Sequence, residues 1–262
     1  MGSATRESLI AATATLSGRG SVDFATGEQL LEAALVVDGS PALRSALADD
    51  SAPAAGRASI VNAVFGGYTA DAKAVLESLA SGRWSSEDDF VAAIERLGIR
   101  AVASSAASSV SINDELFAFA TAVSSDPGLE LALGSRLGLV DNKIALVHRL
   151  MAKASKQTVA ILTALISQPR GRRITELVRY AATIVAEESG QTIASITVAA
   201  PLTAAQRERL ARALAAQHGS AIRINELVDP TVLGGMRVQI GDEVIDGSVA
   251  NRIADLRLRL AS

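Results

Sequence analysis

Ser40-Pro41-Ala42-Leu43-Arg44-Ser45-Ala46-Leu47 recurs further along the chain as Asp126-Pro127-Gly128-Leu129-Glu130-Leu131-Ala132-Leu133. Holding the same offset, Leu30 falls on Leu116, Val37 on Val123, Arg57 on Lys143, Ile60 on Leu146, Val61 on Val147 and Val64 on Leu150. Val75-Leu76 falls on Ile161-Leu162 and Leu79 on Leu165, and near residue 90 an offset one residue longer fits better, marking a small insertion. The matched positions recur at helical spacing, so the two copies share apolar faces as well as letters. Ser40-Pro41 and Asp126-Pro127 each restart a helix, with the proline at its first position. Gly66-Gly67 stops one, and Thr26 followed by Gln29 has the form of a capping box. Each copy therefore reads as a chain of short helices. Whether the copies pack on each other or stand in series is left open.

After Gly190 the period changes. Ile193, Ser195, Thr197 and Ala199 alternate with Ala194, Ile196, Val198 and Ala200, which predicts a strand ended by Pro201. Thr203 with Gln206 is a capping box opening a helix through Leu210 and Leu214, with Gly219 as its stop. Ile222 and Ile224 predict a second strand, closed by Asp229-Pro230. Met236, Val238 and Ile240 face Val244 across a Gly241-Asp242 hairpin turn. Ser248 is expected to cap a last helix whose apolar face carries Val249, Ile253, Leu256 and Leu260. The predicted fold class is mostly α with a small α/β C-terminal domain: a first helical repeat over 1–107, a second over 108–190, and a strand-helix-strand-hairpin-helix unit over 191–262.

Composition agrees with helices. Nearly half the chain is hydrophobic but only 3% is aromatic, so the cores are built from Ala, Leu, Val and Ile. A net charge of −3 puts a nucleic-acid-binding role at a disadvantage. The chain has no cysteine, which excludes thiolate chemistry, and its two histidines, His148 and His218, suit no metal site. His148 reads as an exposed or partly packed side chain and His218 as a favourable cation at a helix C-terminus. No secretory leader is visible. The longest strongly apolar run, Thr158 to Ile166, is far short of the ~20 residues that span a bilayer. A soluble, cytosolic protein is expected, reaching a membrane only through a partner.

No phosphate loop or dinucleotide fingerprint is present. Gly234-Gly235 could admit a phosphate but reads as a tight bend. Asp242, Glu243 and Asp246 lack the ligand spacing of a calcium loop and read as a turn and helix start. Trp84 reads as a core anchor. Arg170, Arg172 and Arg173 form the one basic cluster, which reads as a solvated loop. An alternative makes the chain a helical adaptor or regulator that binds nucleic acid or protein through Arg170–Arg173. A further alternative, an enzyme with its site split between the copies, lacks any His–nucleophile or paired-carboxylate pattern.

Val228-Asp229-Pro230, Leu233-Gly234-Gly235-Met236-Arg237-Val238, Ile240-Gly241-Asp242, Val244-Ile245-Asp246-Gly247-Ser248 and Arg252-Ile253 follow one another in an order and spacing that resembles the ATP synthase delta subunit family. That family includes the mitochondrial oligomycin-sensitivity-conferring protein. Ala199-Ala200-Pro201-Leu202-Thr203 and Gly171-Arg172-Arg173-Ile174 are similar to two further family segments. The resemblance covers roughly 110 to 262, and the extra copy in front looks like a longer, duplicated bacterial form. It implies a non-catalytic stator subunit without cofactor or metal, on the cytoplasmic face of the membrane. Its helical domain would bind N-terminal segments of alpha subunits, and its tail the C-terminal end of the b subunit. Asp229, Pro230, Gly234, Gly235, Gly241, Asp242, Asp246, Gly247 and Ser248 would shape the tail, and Arg172, Arg173, Ile253 and Leu256 would be partner contacts. The second copy, Asp114 to Glu188, is expected to make the alpha contact, with the first, near Thr26 to Leu97, as an added brace packing against the second copy or a longer stalk.

Overall fold

A computed structural model of the chain describes residues 2–19, 22–135, 138–229, 234–240 and 243–246. It divides into two compact units, residues 1–185 and 186–262.

The first unit is helical throughout. After α1 (Ser3–Ser17), the first copy supplies α2 (Phe24–Gly39), α3 (Pro41–Ala48), α4 (Ala54–Val64), α5 (Ala70–Ser81) and α6 (Glu87–Ser104). The second supplies α7 (Ile112–Ser125), α8 (Pro127–Gly134), α9 (Val140–Leu150), α10 (Lys156–Ser167) and α11 (Ile174–Glu188), whose last residues enter the second unit. Most of the duplicated apolar positions form the core; Ile60, Leu146 and Leu150 are only half-buried and Val64 is exposed. Leu30/Leu116, Val37/Val123, Leu47/Leu133, Val61/Val147, Val75/Ile161, Leu76/Leu162 and Leu79/Leu165 are all at most 2% exposed. Even the matched cations behave alike: Arg57 and Lys143 are both buried, donating to the carbonyls of Gly82 and Ser135 respectively.

The copies pack on each other through α2, α6 and α10. Two glycines allow the tight crossing of α2 on α6. A Cβ on Gly27 would lie 2.6 Å from the Val102 backbone nitrogen, and one on Gly98 would lie 2.9 Å from that of Leu31. Either side chain would push the helices apart.

Helix starts follow local chemistry, with one departure. Ser40 and Asp126 cap α3 and α8 ahead of their prolines, as expected. The expected Thr26/Gln29 capping box does not form. Asp23 caps α2 by accepting from the Thr26 N–H at 2.8 Å, so the helix begins one turn earlier. Gln29 instead reaches across to accept from the Thr69 N–H at the start of α5 (2.8 Å).

The second unit is a four-stranded sheet ordered β2-β1-β3-β4, from β1 (Gln191–Val198), β2 (Ala221–Val228), β3 (Met236–Ile240) and β4 (Glu243–Asp246). β1 pairs in parallel with β2 and antiparallel with β3, and β3 pairs antiparallel with β4. The crossover helix α12 (Ala204–His218) carries the expected Thr203/Gln206 capping box, and Gly219 ends it in the left-handed conformation. Ala194, Ile196 and Val198 of β1 join Leu214, Val238 and Ile240 in a small core. Ser248 and the last helix expected behind it lie outside the described residues.

Candidate partner-binding surfaces

The Gly-Arg segment between α10 and α11 turns sharply. Arg170 (φ 47°) and Gly171 (φ 77°) both occupy the left-handed region, and the Arg172 N–H donates to the Pro169 carbonyl at 2.9 Å. That reversal points Arg172 inward. Its two terminal nitrogens donate to both carboxylate oxygens of Glu95 on α6, at 3.0 and 2.9 Å, and Arg170 adds a third link at 2.7 Å. The Glu95 side chain is only 8% exposed. The Arg172 guanidinium also lies 5.0 Å from the centroid of the Tyr180 ring. Burial, then the Glu95 charge, pushes the Tyr180 phenol up to about 12. The segment expected as a solvated loop is thus a tie between the second copy and α6 of the first. Among the two arginines expected to meet a partner, Arg172 is committed to Glu95. Arg173 is exposed, its N–H accepted by the Glu176 carboxylate at 3.0 Å.

Beside Arg173 lies a groove of about 470 Å³ whose walls include Pro127, Leu131, Pro169 and Ile174. Leu131 is 74% exposed, and Leu139 and Val140, which follow α8, are also open to solvent. A second groove of about 810 Å³ runs between α2 and α10. His148, exposed on α9, borders it. Trp84 packs as the core anchor expected of it. Its indole N–H donates to the Leu79 carbonyl at 2.9 Å, and its ring lies 5.6 Å from that of Phe90.

In the tail, Gly234 (φ 73°) and Gly235 (φ 82°) take the conformation that L side chains resist, and they open β3. The Asp229 N–H donates to the Val198 carbonyl at 2.8 Å, tying the end of β2 to β1. Glu226 accepts from the Leu202 N–H and from Arg207, both at 2.7 Å. Burial would raise the Glu226 pKa, but those donors outweigh it and hold it below the usual range. Asp246 sits on β4, paired in register with Arg237. Pro230, Gly241, Asp242, Gly247, Ser248, Ile253 and Leu256 lie outside the described residues. Leu227 and Val228 on the β2 edge, and Val244 and Ile245 on β4, are exposed.

Sequence reasoning missed Glu95, which stands in no local pattern because its partners are distant in the chain, and it gave Gln29 a local capping role in place of its bond to Thr69. Among the described residues no cluster of three His, Asp or Glu side chains could hold a metal ion, and no helix is long and apolar enough to cross a membrane.

A family model described as ATP synthase delta (OSCP) subunit matches residues 99–260. The ATP synthase subunit delta of Leifsonia xyli subsp. xyli is 51% identical, over the whole of both chains. Those of Kineococcus radiotolerans and Acidothermus cellulolyticus are 41% and 39% identical, covering 94% and 90% of this chain and 91% and 88% of theirs. The chain, copies and tail together, therefore belongs to the ATP synthase delta (OSCP) subunit family.

Proposed function

We propose that this chain is the delta subunit of an F-type proton-translocating ATP synthase, a part of the peripheral stalk that joins the catalytic head to the membrane sector. Full-length similarity to chains named ATP synthase subunit delta is the observation that carries this reading. On this reading the helical unit binds N-terminal segments of alpha subunits. The tail binds the C-terminal end of the b subunit, using Leu227, Val228, Val244 and Ile245 as apolar anchor surface. The chain is non-catalytic and reaches the cytoplasmic face of the cell membrane only through the complex.

Physically, a stator connector resists torque, which requires rigid units and adhesive surfaces rather than a reacting centre. The Glu95–Arg172 tie supports this, because it locks the two helical copies into one body. The nucleic-acid reading has less to stand on: Arg170 and Arg172, two of its three arginines, are both ion-paired to Glu95, which cancels one of their two charges.

Co-purification from detergent-extracted membranes, with the partners identified by mass spectrometry, tests the assignment. Both the alpha and the b subunit should come down together with the tagged chain. Recovery of nucleic acid or an unrelated complex in their place would refute it. A thermal shift with ATP should show no stabilisation, since the sequence holds no phosphate loop.

A further inference from the structure

The duplication offset that carries α2 onto α7 also carries α1 onto α6: Ser3–Ser17 falls on residues 89–103, inside Glu87–Ser104. The hydrogen bonds agree with that match at both ends of the helix. In the first copy α1 holds the turn between α5 and α6. Ser8 accepts from the Arg83 N–H and donates to the Arg83 carbonyl, both at 2.8 Å, and Thr5 accepts from the Ser85 N–H at 3.0 Å. In the second copy α6 holds the turn between α10 and α11, through Glu95 and its pairs with Arg170 and Arg172. Counting the one-residue insertion, Arg170 and Arg172 are the positions matched to Arg83 and Ser85. Past the end of α1, Arg19 donates to Asp71 on α5 at 3.1 Å. Past the end of α6, the Ser105 carbonyl accepts from Gln157 on α10 at 3.4 Å. Arg19 and Ser105 are a matched pair, and so are Asp71 and Gln157.

Burial gives the same match. α1 turns Thr5, Ser8, Ala12 and Leu16 inward, and the corresponding Val91, Ile94, Gly98 and Val102 of α6 are all buried. α6 buries more than that stripe. Phe90, Val91, Ala93, Ile94, Leu97 and Ala101 lie in the core of the first copy. Glu95, Ile99 and Val102, at i, i+4 and i+7, are buried along a second line of the helix. From Asp89 to Ala103 no residue is exposed, the pattern of a helix enclosed by its neighbours. Those neighbours come from both copies: α1, α2, α3 and α5 from one side, α10 from the other.

We propose that α6 serves twice, as the last helix of the first copy and as the leading helix of the second, so that the bundles α1–α6 and α6–α11 overlap in one helix. On this reading the second copy begins at Glu87, ahead of the boundary expected at residue 108. The joint between the copies is then a continuous, hydrogen-bonded helix in place of a loop. A disturbance of α6 is felt by both copies at once, whereas α1 and α11 each serve one. The arrangement holds whatever the chain binds.

Native-state hydrogen exchange of the full chain, resolved by mass spectrometry into peptides, tests this, with the matched helices α5 and α10 as reporters. Leu16→Ala, in α1, should speed exchange in α5 at least about tenfold and leave α10 unchanged. Leu177→Ala, in α11, should do the converse. Val102→Ala, at the α6 position matched to Leu16, should speed α5 and α10 together, by factors within about threefold of each other. Ile99→Val, a milder change on the same line of α6, should give that joint pattern at a few-fold size, and it replaces Val102→Ala if that variant does not fold. Val102→Ala or Ile99→Val speeding α5 alone would assign α6 to the first copy only and overturn the proposal. So would a Leu16→Ala effect that reaches α10 as strongly as α5.

Discussion

In the first helical copy, aromatic rings fill the space between helices: Phe65 packs on Tyr68 at 5.1 Å and Trp84 on Phe90 at 5.6 Å. The second copy has Met151, Ala154, Gly171 and Leu177 at the corresponding places. Surfaces differ in position. Leu131, Leu139 and Val140 are exposed in the second copy where the first has Ser45, Pro53 and Ala54. The buried aliphatic frame is common to both, so duplication kept the packing and let the rest diverge. Each copy leaves its own apolar side chains open: Val36 and Val64 in the first, Leu131, Leu139 and Val140 in the second. Both copies also retain a polar tether from their opening helix to the start of their fourth. Gln29 accepts from the Thr69 N–H, and Glu115 accepts from the Ser155 N–H (2.9 Å), the Ser155 hydroxyl (2.6 Å) and the Thr158 hydroxyl.

The largest effect should come from the rings. Phe90→Ala empties a fully buried site and should cost about 3–5 kcal/mol, and Leu177→Ala nearer 2–3 kcal/mol. Urea unfolding of the two variants side by side checks this, and equal losses would mean that the ring at this matched site packs no better than the leucine.

The tie between copies comes next. Arg172→Ala removes the bidentate partner of buried Glu95 but leaves Arg170, so about 2–4 kcal/mol is expected. Arg172→Lys should recover only part, because an ammonium cannot bridge both oxygens in the same plane. A loss below about 0.5 kcal/mol would place the copies' cohesion in the apolar contacts of α2, α6 and α10 alone.

Matched tether variants sharpen the comparison further. Glu115→Ala deletes an acceptor of three bonds and should cost about 2 kcal/mol; Gln29→Ala deletes one and should cost about 1 kcal/mol. The reverse order, read from thermal melts, would show that the charge of Glu115 brings no advantage over the amide.

Smaller still is the cap at Asp23. Its hydrogen bonds to Thr26 hold its pKa below the usual 3.8. A carboxyl depressed on folding stabilises above the unfolded value and loses that contribution as pH falls through the lower folded one. Asp23→Ala should therefore cost about 1 kcal/mol at neutral pH. The gap to wild type should close as the pH drops below the usual value, and a gap that persists in acid would assign the loss to helix propensity instead. The smallest effect belongs to Leu131→Ser, which should leave melting within about 0.5 kcal/mol because the side chain is exposed.

Much of this was legible in the letters because it is local or periodic. The duplicated leucines and valines showed themselves by helical spacing, while equally buried pairs of unlike residues, such as Ala33/Phe119 and Ala72/Thr158, did not. The Thr203 capping box, the Gly219 stop and the β3–β4 pairing follow from residues close in sequence. Helix α1 went unread, since its buried face is Thr5, Ser8, Ala12 and Leu16, a stripe too polar to stand out. The Thr26/Gln29 pattern misled because Asp23 offered a competing cap one turn earlier and Thr69 a competing partner for Gln29. Of the features around the candidate surfaces, the Gly234-Gly235 bend announced itself, while the Glu95–Arg172 tie and the α2–α10 groove did not. Both join residues far apart in the chain, and only the packing of one copy on the other creates them.

The most direct measurement mixes the full chain with a soluble catalytic head that keeps its alpha N-termini and with the C-terminal half of the b subunit, and weighs the products by native mass spectrometry. The account predicts a ternary complex in which head and stalk fragment are held by one copy of this chain at once. Binding of only one of the two, or of each only by displacing the other, would contradict it.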